Sequence, residues 1–260
     1  MKSKITGTTL PVLEIGLEQG DVIVAEPGEF SWMTDNVQLK TTAMTAGAKG
    51  LFGALTRALS GGGLFMTEYM AQSGNGLIAF AAKVPGVIMQ VDVQPGRGYL
   101  IHRHGFLCAT NGLELSMGFQ KSLGAGIFGG NGFVLQRLSG SCSAWVELGG
   151  EIVTYELQPG ETIQVHPGHI GMFEESVNFD ITFMRGIMNA VFGGDGLFIA
   201  RLTGPGKVWL QTLTMPNLAH ALEPYLSRDR QASNAQAGVT GGLAGGVAGA
   251  VLRDMFGQNS

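Results

Sequence analysis

Two short stretches carry the side chains best suited to chemistry. "GRGYLIHRHG" at 96–105 has the spacing G-x5-H-x-H, with His102 and His104 as its pair. On a strand, alternate residues share a face, so these imidazoles would point the same way, as two ligands of one divalent metal must. "GETIQVHPGHIG" at 160–171 offers a third, His166, which aligns with His102 in an internal repeat described below. A metal site of His102, His104 and His166 is therefore one expectation. The plainer reading is of histidines that hydrogen-bond at the surface or in the core, with His102 and His166 as a symmetry-related pair.

The G-x5-H-x-H spacing resembles the opening of the first cupin signature, and residues 160–171 loosely echo the second. That signature wants a Glu four or five residues after its second histidine. Here "GFLCAT" stands in that place, and Glu114 comes too late. No G-x-S-x-G elbow, P-loop or H-E-x-x-H appears. Glu174 and Glu175 sit in a turn-like segment and read as solvated.

A second group of candidates lies in three glycine-rich, apolar segments. The first carries Lys49, Leu51, Phe52, Leu55 and Arg57. The second carries Lys121, Ile127 and Phe128, and the third Arg185, Ile187 and Phe192. Converging on one face, they would form an apolar patch edged by cations, suited to a protein partner or an anionic lipid surface. Folded inward, they would instead plug the centre of the body.

The elements that position these residues come in threes. "GGGLFM" (61–66), "GNGFVL" (130–135) and "GDGLFI" (194–199) recur 69 and 64 positions apart. Pro-Gly pairs at 27–28, 95–96 and 159–160 recur at 68 and 64 and close the Val- and Ile-rich runs "DVIVAE", "IMQVDVQ" and "IVTYELQ". Two landmarks with one period make a repeat of about 65 residues. The runs read as short strands ending in turns, since proline sets φ at the first central position and glycine accepts positive φ at the next. "LFIARLTGPGKVWLQTL" reads as a hairpin about a Gly-Pro-Gly turn. We therefore expect an all-β body over 1–216, built of repeats 16–86, 87–150 and 151–216 about a pseudo-threefold axis. Trp145 and Trp209 align across two repeats and read as packing. After Pro216 the spacing of Leu218, Leu222, Tyr225 and Leu226 predicts a short helix over 217–230, capped by Asn217. Residues 231–260 read as a glycine-rich tail, flexible or membrane-associating through its glycines at four-residue steps.

Composition agrees with many tight turns and little exposed charge. Of 260 residues 42 are glycine, charged residues are 14%, and the net charge of −4 leaves no nucleic-acid footprint. Cys108 and Cys142 lack metal or redox spacing and read as reduced, buried thiols of a cytoplasmic protein. The N-terminus has no apolar run behind its lysines, so no signal peptide is expected.

The three glycine-led stretches, above all "GGGLFMTEYMAQSGNGLIAFAAKVPGVI" in the first repeat, together with the "QPG" strands, resemble the altered inheritance of mitochondria protein 24 family over about residues 5–225. The resemblance implies a fold like that of the tryptophan RNA-binding attenuation protein, with β units about a pseudo-threefold axis. The mitochondrial members are associated with the inner membrane, and many bacterial members have no assigned function; with no evident presequence, this chain looks like a bacterial one. The resemblance supplies no catalytic residues. The resulting expectation is a non-enzymatic scaffold that forms homo-oligomers, is cytoplasmic or peripheral at the inner membrane, and has anionic membrane lipid as a partner. It has no cofactor; the alternative is the cupin-like protein with a divalent metal on the three histidines.

Overall fold

The computed structural model of the chain describes residues 1–44, 64–121, 133–184 and 197–225. The chain divides into two compact units, Met1–Thr214 and Met215–Ser260. In the first unit nineteen strands are described. They are β1 (Lys2–Thr6), β2 (Val12–Leu17), β3 (Val22–Ala25), β4 (Trp32–Met33), β5 (Val37–Met44), β6 (Leu64–Ala71) and β7 (Gly76–Ala81). Then follow β8 (Gly86–Val93), β9 (Tyr99–His102), β10 (Phe106–Thr110), β11 (Leu113–Lys121), β12 (Phe133–Gly140) and β13 (Cys142–Gly149). The last six are β14 (Ile152–Leu157), β15 (Thr162–Val165), β16 (Ile170–Glu174), β17 (Asn178–Met184), β18 (Leu197–Thr203) and β19 (Gly206–Gln211). The fold is all-β, as the strand-like runs predicted.

Two six-stranded sheets have the orders β5-β6-β3-β10-β13-β8 and β11-β12-β9-β16-β19-β14. Adding six to each strand number of the first gives the second. The remaining sheets, β17-β18-β15 and β1-β2-β7-β4, hold the two halves of the same order, with β1 added outside β2. Each six-stranded sheet therefore takes strands from both sides of an expected repeat boundary. Turn chemistry explains where the strands stop. Gly28, Gly96 and Gly160, the glycines of the three Pro-Gly pairs, have φ of 85°, 76° and 82°. A Cβ would meet nothing within 4 Å at any of them, so the backbone angle alone demands glycine.

The Gly-Pro-Gly hairpin is corrected. β18 pairs with β15 and β17, while β19 pairs with β14 and β16. Gly204-Pro205 thus carries the chain from one sheet into another. A Cβ on Gly204 would stand 2.5 Å from Gln158 O and 2.6 Å from Leu157 O, so the corner is too tight for any side chain. The recurring six-residue motif instead runs into the second strand of a hairpin: Leu64, Phe133 and Leu197 begin β6, β12 and β18, which pair antiparallel with β5, β11 and β17.

Apolar side chains gather in three buried clusters. One holds Leu13, Ile15, Tyr69, Phe80 and Trp145; the next holds Met66, Ile101, Phe106, Leu138 and Val146; the third holds Leu135, Phe173, Ile181 and Leu202. Each such side chain fully removed from water contributes about 1.5–3 kcal/mol. Trp145 lies in the first cluster and Trp209 packs against the second, as their alignment suggested. Cys108 is buried, Cys142 is half-buried, and both are free.

In the second unit residues 215–225 are helical. The helix starts before Asn217, which therefore lies inside it rather than at its cap. Pro216 falls in the first turn, where a missing N–H costs nothing. The rest of this unit, including the glycine-rich tail 231–260, lies outside the described residues.

Candidate functional site

β9 ends at His102, and Arg103 and His104 form a turn. The same-face geometry expected of His102 and His104 is therefore absent: alternation holds only along a strand. The turn closes with Gly105 N–H donating to His102 O at 2.8 Å and Glu147 N–H donating to Gly105 O at 2.7 Å. A Cβ on Gly105 would stand 2.5 Å from Ile101 Cγ1 and 2.9 Å from His102 Cδ2, which is why glycine follows the histidines. His102 Nε2 lies 3.2 Å from Glu147 O. A carbonyl can only accept, so Nε2 carries the proton. Burial pushes the ring down to about 4, and it is neutral at physiological pH. His104 is lowered first by burial and then by the charges of Arg103 and Lys83.

Glu147, on β13, is 3% exposed. Its Oε1 accepts from Lys83 N–H at 2.7 Å and Val84 N–H at 3.2 Å, the connection from β7 to β8. Burial raises this carboxyl, against the two amides that favour its charged form. Nearby, Lys83 Nζ stands 2.5 Å from Glu29 Oε2, and Gln136 Nε2 donates to Glu26 Oε1 at 2.8 Å. Glu26 is likewise raised by burial.

The same clamp occurs once more. Gln211, on β19, accepts from Gly149 N–H at 2.9 Å through Oε1 and donates from Nε2 to Gly168 O at 3.1 Å. Its main-chain oxygen lies 2.8 Å from His169 Nδ1. So Gln211 holds the end of β13 as Glu147 holds the β7–β8 connection, and each carries a histidine on its carbonyl. Sequence alignment pairs His102 with His166; the structure pairs it with His169. A short 3₁₀ turn, Pro167–His169, shifts the equivalent ring by three residues. His166 is exposed, with its ring edge-on to His169 at 6.0 Å.

His102, His104 and His166 are not brought together, and among the described residues no three His, Cys, Asp or Glu side chains form a group that could hold a metal. The described part of the site does structural chemistry: the His102 and His169 rings and the shielded Glu147 and Gln211 acceptors tie distant stretches of main chain together. Sequence reading missed Glu147, Gln211 and His169. The available signal was the aligned "WVE" and "WLQ", which put a side-chain acceptor two residues after each tryptophan. Glu174 and Glu175 are engaged rather than solvated. Lys207 N–H donates to Glu174 Oε2 at 3.0 Å, and Arg137 Nε lies 2.9 Å from Glu175 Oε1.

Of the loop candidates, Lys49, Leu51, Phe52, Leu55 and Arg57 lie outside the described residues, as do Ile127, Phe128, Arg185, Ile187 and Phe192. Lys121 ends β11, and its side chain also lies outside. What is described is where the loops are rooted. Segments 45–63, 122–132 and 185–196 join β5 to β6, β11 to β12 and β17 to β18, with last pairs Met44↔Leu64, Lys121↔Phe133 and Met184↔Leu197. Rings from the second and third of these hairpins touch: Phe119 meets Phe179 edge-on at 4.8 Å, and Phe133 lies 5.8 Å from Phe179.

Comparison with known proteins adds family and fold. A family profile described as "Mitochondrial biogenesis AIM24" matches residues 3–213. An uncharacterized protein of Streptococcus pyogenes serotype M6 is 28% identical over 220 residues, covering 83% of this chain and 87% of its own. A crystal structure of a Streptococcus pyogenes protein superposes with a TM-score of 0.68, covering 86% of this chain and 99% of that one. At 24% identity this likeness is one of fold.

Proposed function

The chain belongs to the mitochondrial biogenesis AIM24 family, and on that premise we propose that it is a non-enzymatic scaffold that joins copies of itself and seats on anionic membrane lipid. The contact is made by segments 45–63, 122–132 and 185–196, with the protein peripheral to the membrane. One observation carries the reading. Each segment joins the two strands that occupy the same place in one recurring pairing order. On this reading units 16–86, 87–150 and 151–216 stand about a pseudo-threefold axis and present the three loops together. The first and third segments set Lys49, Arg57 and Arg185 beside phenylalanine, leucine or isoleucine, and Lys121 stands at the root of the second, a composition that favours an anionic interface. The Phe119–Phe179 contact supports bringing two of the loop roots side by side. His102, His169 and Glu147, which hold the main chain by hydrogen bonds, support a scaffold over a catalyst. Among the described residues no helix is long and apolar enough to cross a membrane.

Co-sedimentation with vesicles of phosphatidylcholine, with and without phosphatidylglycerol, tests this. The expected result is binding that needs the anionic lipid and is lost in the triple variant Phe52→Asp, Phe128→Asp, Phe192→Asp with unchanged circular dichroism. Indifference of the unmodified protein to both vesicles overturns the lipid contact. A triple variant that unfolds places the phenylalanines inside the body and does the same.

A further inference from the structure

We infer that the outer edge of β14 is the interface through which two copies of this chain join. The inference rests on the self-assembly in the function proposed above. It starts from a comparison of β14 with β2. Leu17 and Leu157 stand opposite Gly76 and Gly206 in equivalent ladders, and both are buried. Two and four residues earlier in β2 come Ile15 and Leu13, both 0% exposed. The same steps in β14 reach Tyr155 and Val153, which are 44% and 43% exposed. The chain thus keeps apolar side chains on a face that, among the described residues, nothing covers.

The edge beside them is also open. β2 carries β1 on its outer side, paired from Lys2↔Gly16 to Thr6↔Val12, so this edge position accepts an antiparallel strand. Among the described strands β14 pairs with β19 alone. The other edges of the six-stranded sheets are blunted in ways natural sheets use. β5 has Lys40, β11 has a bulge between Met117 and Phe119, and β8 has its Asp92 carbonyl taken by the Tyr99 hydroxyl. β14 pairs without a bulge, and its Glu156 is held by Lys207 at 3.6 Å.

A second β14 fits this edge. Antiparallel pairing centred on Thr154 sets Val153 of one copy opposite Tyr155 of the other, an aromatic–β-branched pair. It sets Glu156 opposite Ile152 and Glu151 opposite Leu157, so no carboxylate faces another. The sheet would run continuously through both copies. Six residues of edge bury well under the ~1,600 Å² of a standard interface, so the dimer dissociates in the micromolar range.

Light scattering of the full chain from about 1 to 100 μM, without lipid, tests this. The expected mass rises toward that of a dimer. Val153→Lys with Tyr155→Lys holds the chain monomeric with unchanged circular dichroism, whereas Met117→Lys on the β11 edge dimerises normally. Thr154→Cys cross-links into a disulfide dimer on mild oxidation; this readout does not depend on the lysine variant folding. An unmodified chain that stays monomeric removes self-assembly and this interface together. Unmodified chains that self-associate, while the lysine variant does so equally and Thr154→Cys fails to cross-link, overturn the β14 interface and leave self-assembly standing.

Discussion

His102 shows how place sets charge. Its imidazole titrates at 6.5 when free and about 4 in the fold, mainly through burial. Between those values the unfolded chain binds the extra proton. The stability it contributes is complete above pH 6.5 and is lost as pH falls toward 4, by at most about 3 kcal/mol. Glu26 and Glu147 are raised and act oppositely, so they return part of this loss at the acid end. Urea midpoints should drop between pH 7 and 4.5, and His102→Gln, which can still donate to the Glu147 carbonyl, should flatten that slope. Glu147→Ala strands the Lys83 and Val84 amides and should cost about 2–4 kcal/mol by urea unfolding, while Glu147→Gln keeps an acceptor and should cost about 1. The His102 ring is tied to the main chain. Its Nε2 is committed to a carbonyl, which no spacing rule could reveal.

Strands and turns were largely legible because their chemistry is local. The three Pro-Gly pairs demanded positive φ at glycine, and each has it. Pairing partners were less legible. The Gly-Pro-Gly corner read as a hairpin because a turn's composition records how sharply the chain bends, not which sheet it enters. Two glycines separate these demands. Gly160→Ala meets open space and should cost about 1 kcal/mol through its backbone angle alone. A Cβ on Gly86 would strike Leu148 O and stand 3.0 Å from Gly149 Cα, so Gly86→Ala should cost about 3 kcal/mol. Chemical unfolding of the two variants checks the contrast. If Gly86→Ala proves the milder change, the close approach of β8 and β13 at that end is wrong.

At the scale of the molecule, the recurring strand order leaves one join open. β3 pairs with β10 and β9 with β16, but β15 and β4 each end a sheet. The pseudo-threefold reading sets Gln164 beside Met33, the place Leu100 takes beside Phe173. Met33→Cys with Gln164→Cys should then form a disulfide within one chain, seen as faster migration without reductant. Failure of that pair to close, with the protein folded, would argue that the third side stays split.

The sequence by itself determined the all-β class and the positions of the Pro-Gly turns. Strand propensity, φ and glycine spacing act over a few residues and are written there. Only the tertiary structure decided which strands share a sheet, that one sheet order recurs six strands further on, and that His169 rather than His166 stands in for His102. Hydrogen bonds between residues some 60 positions apart, such as Glu147 to Lys83 and Gln211 to Gly149, exist only once the chain has closed on itself.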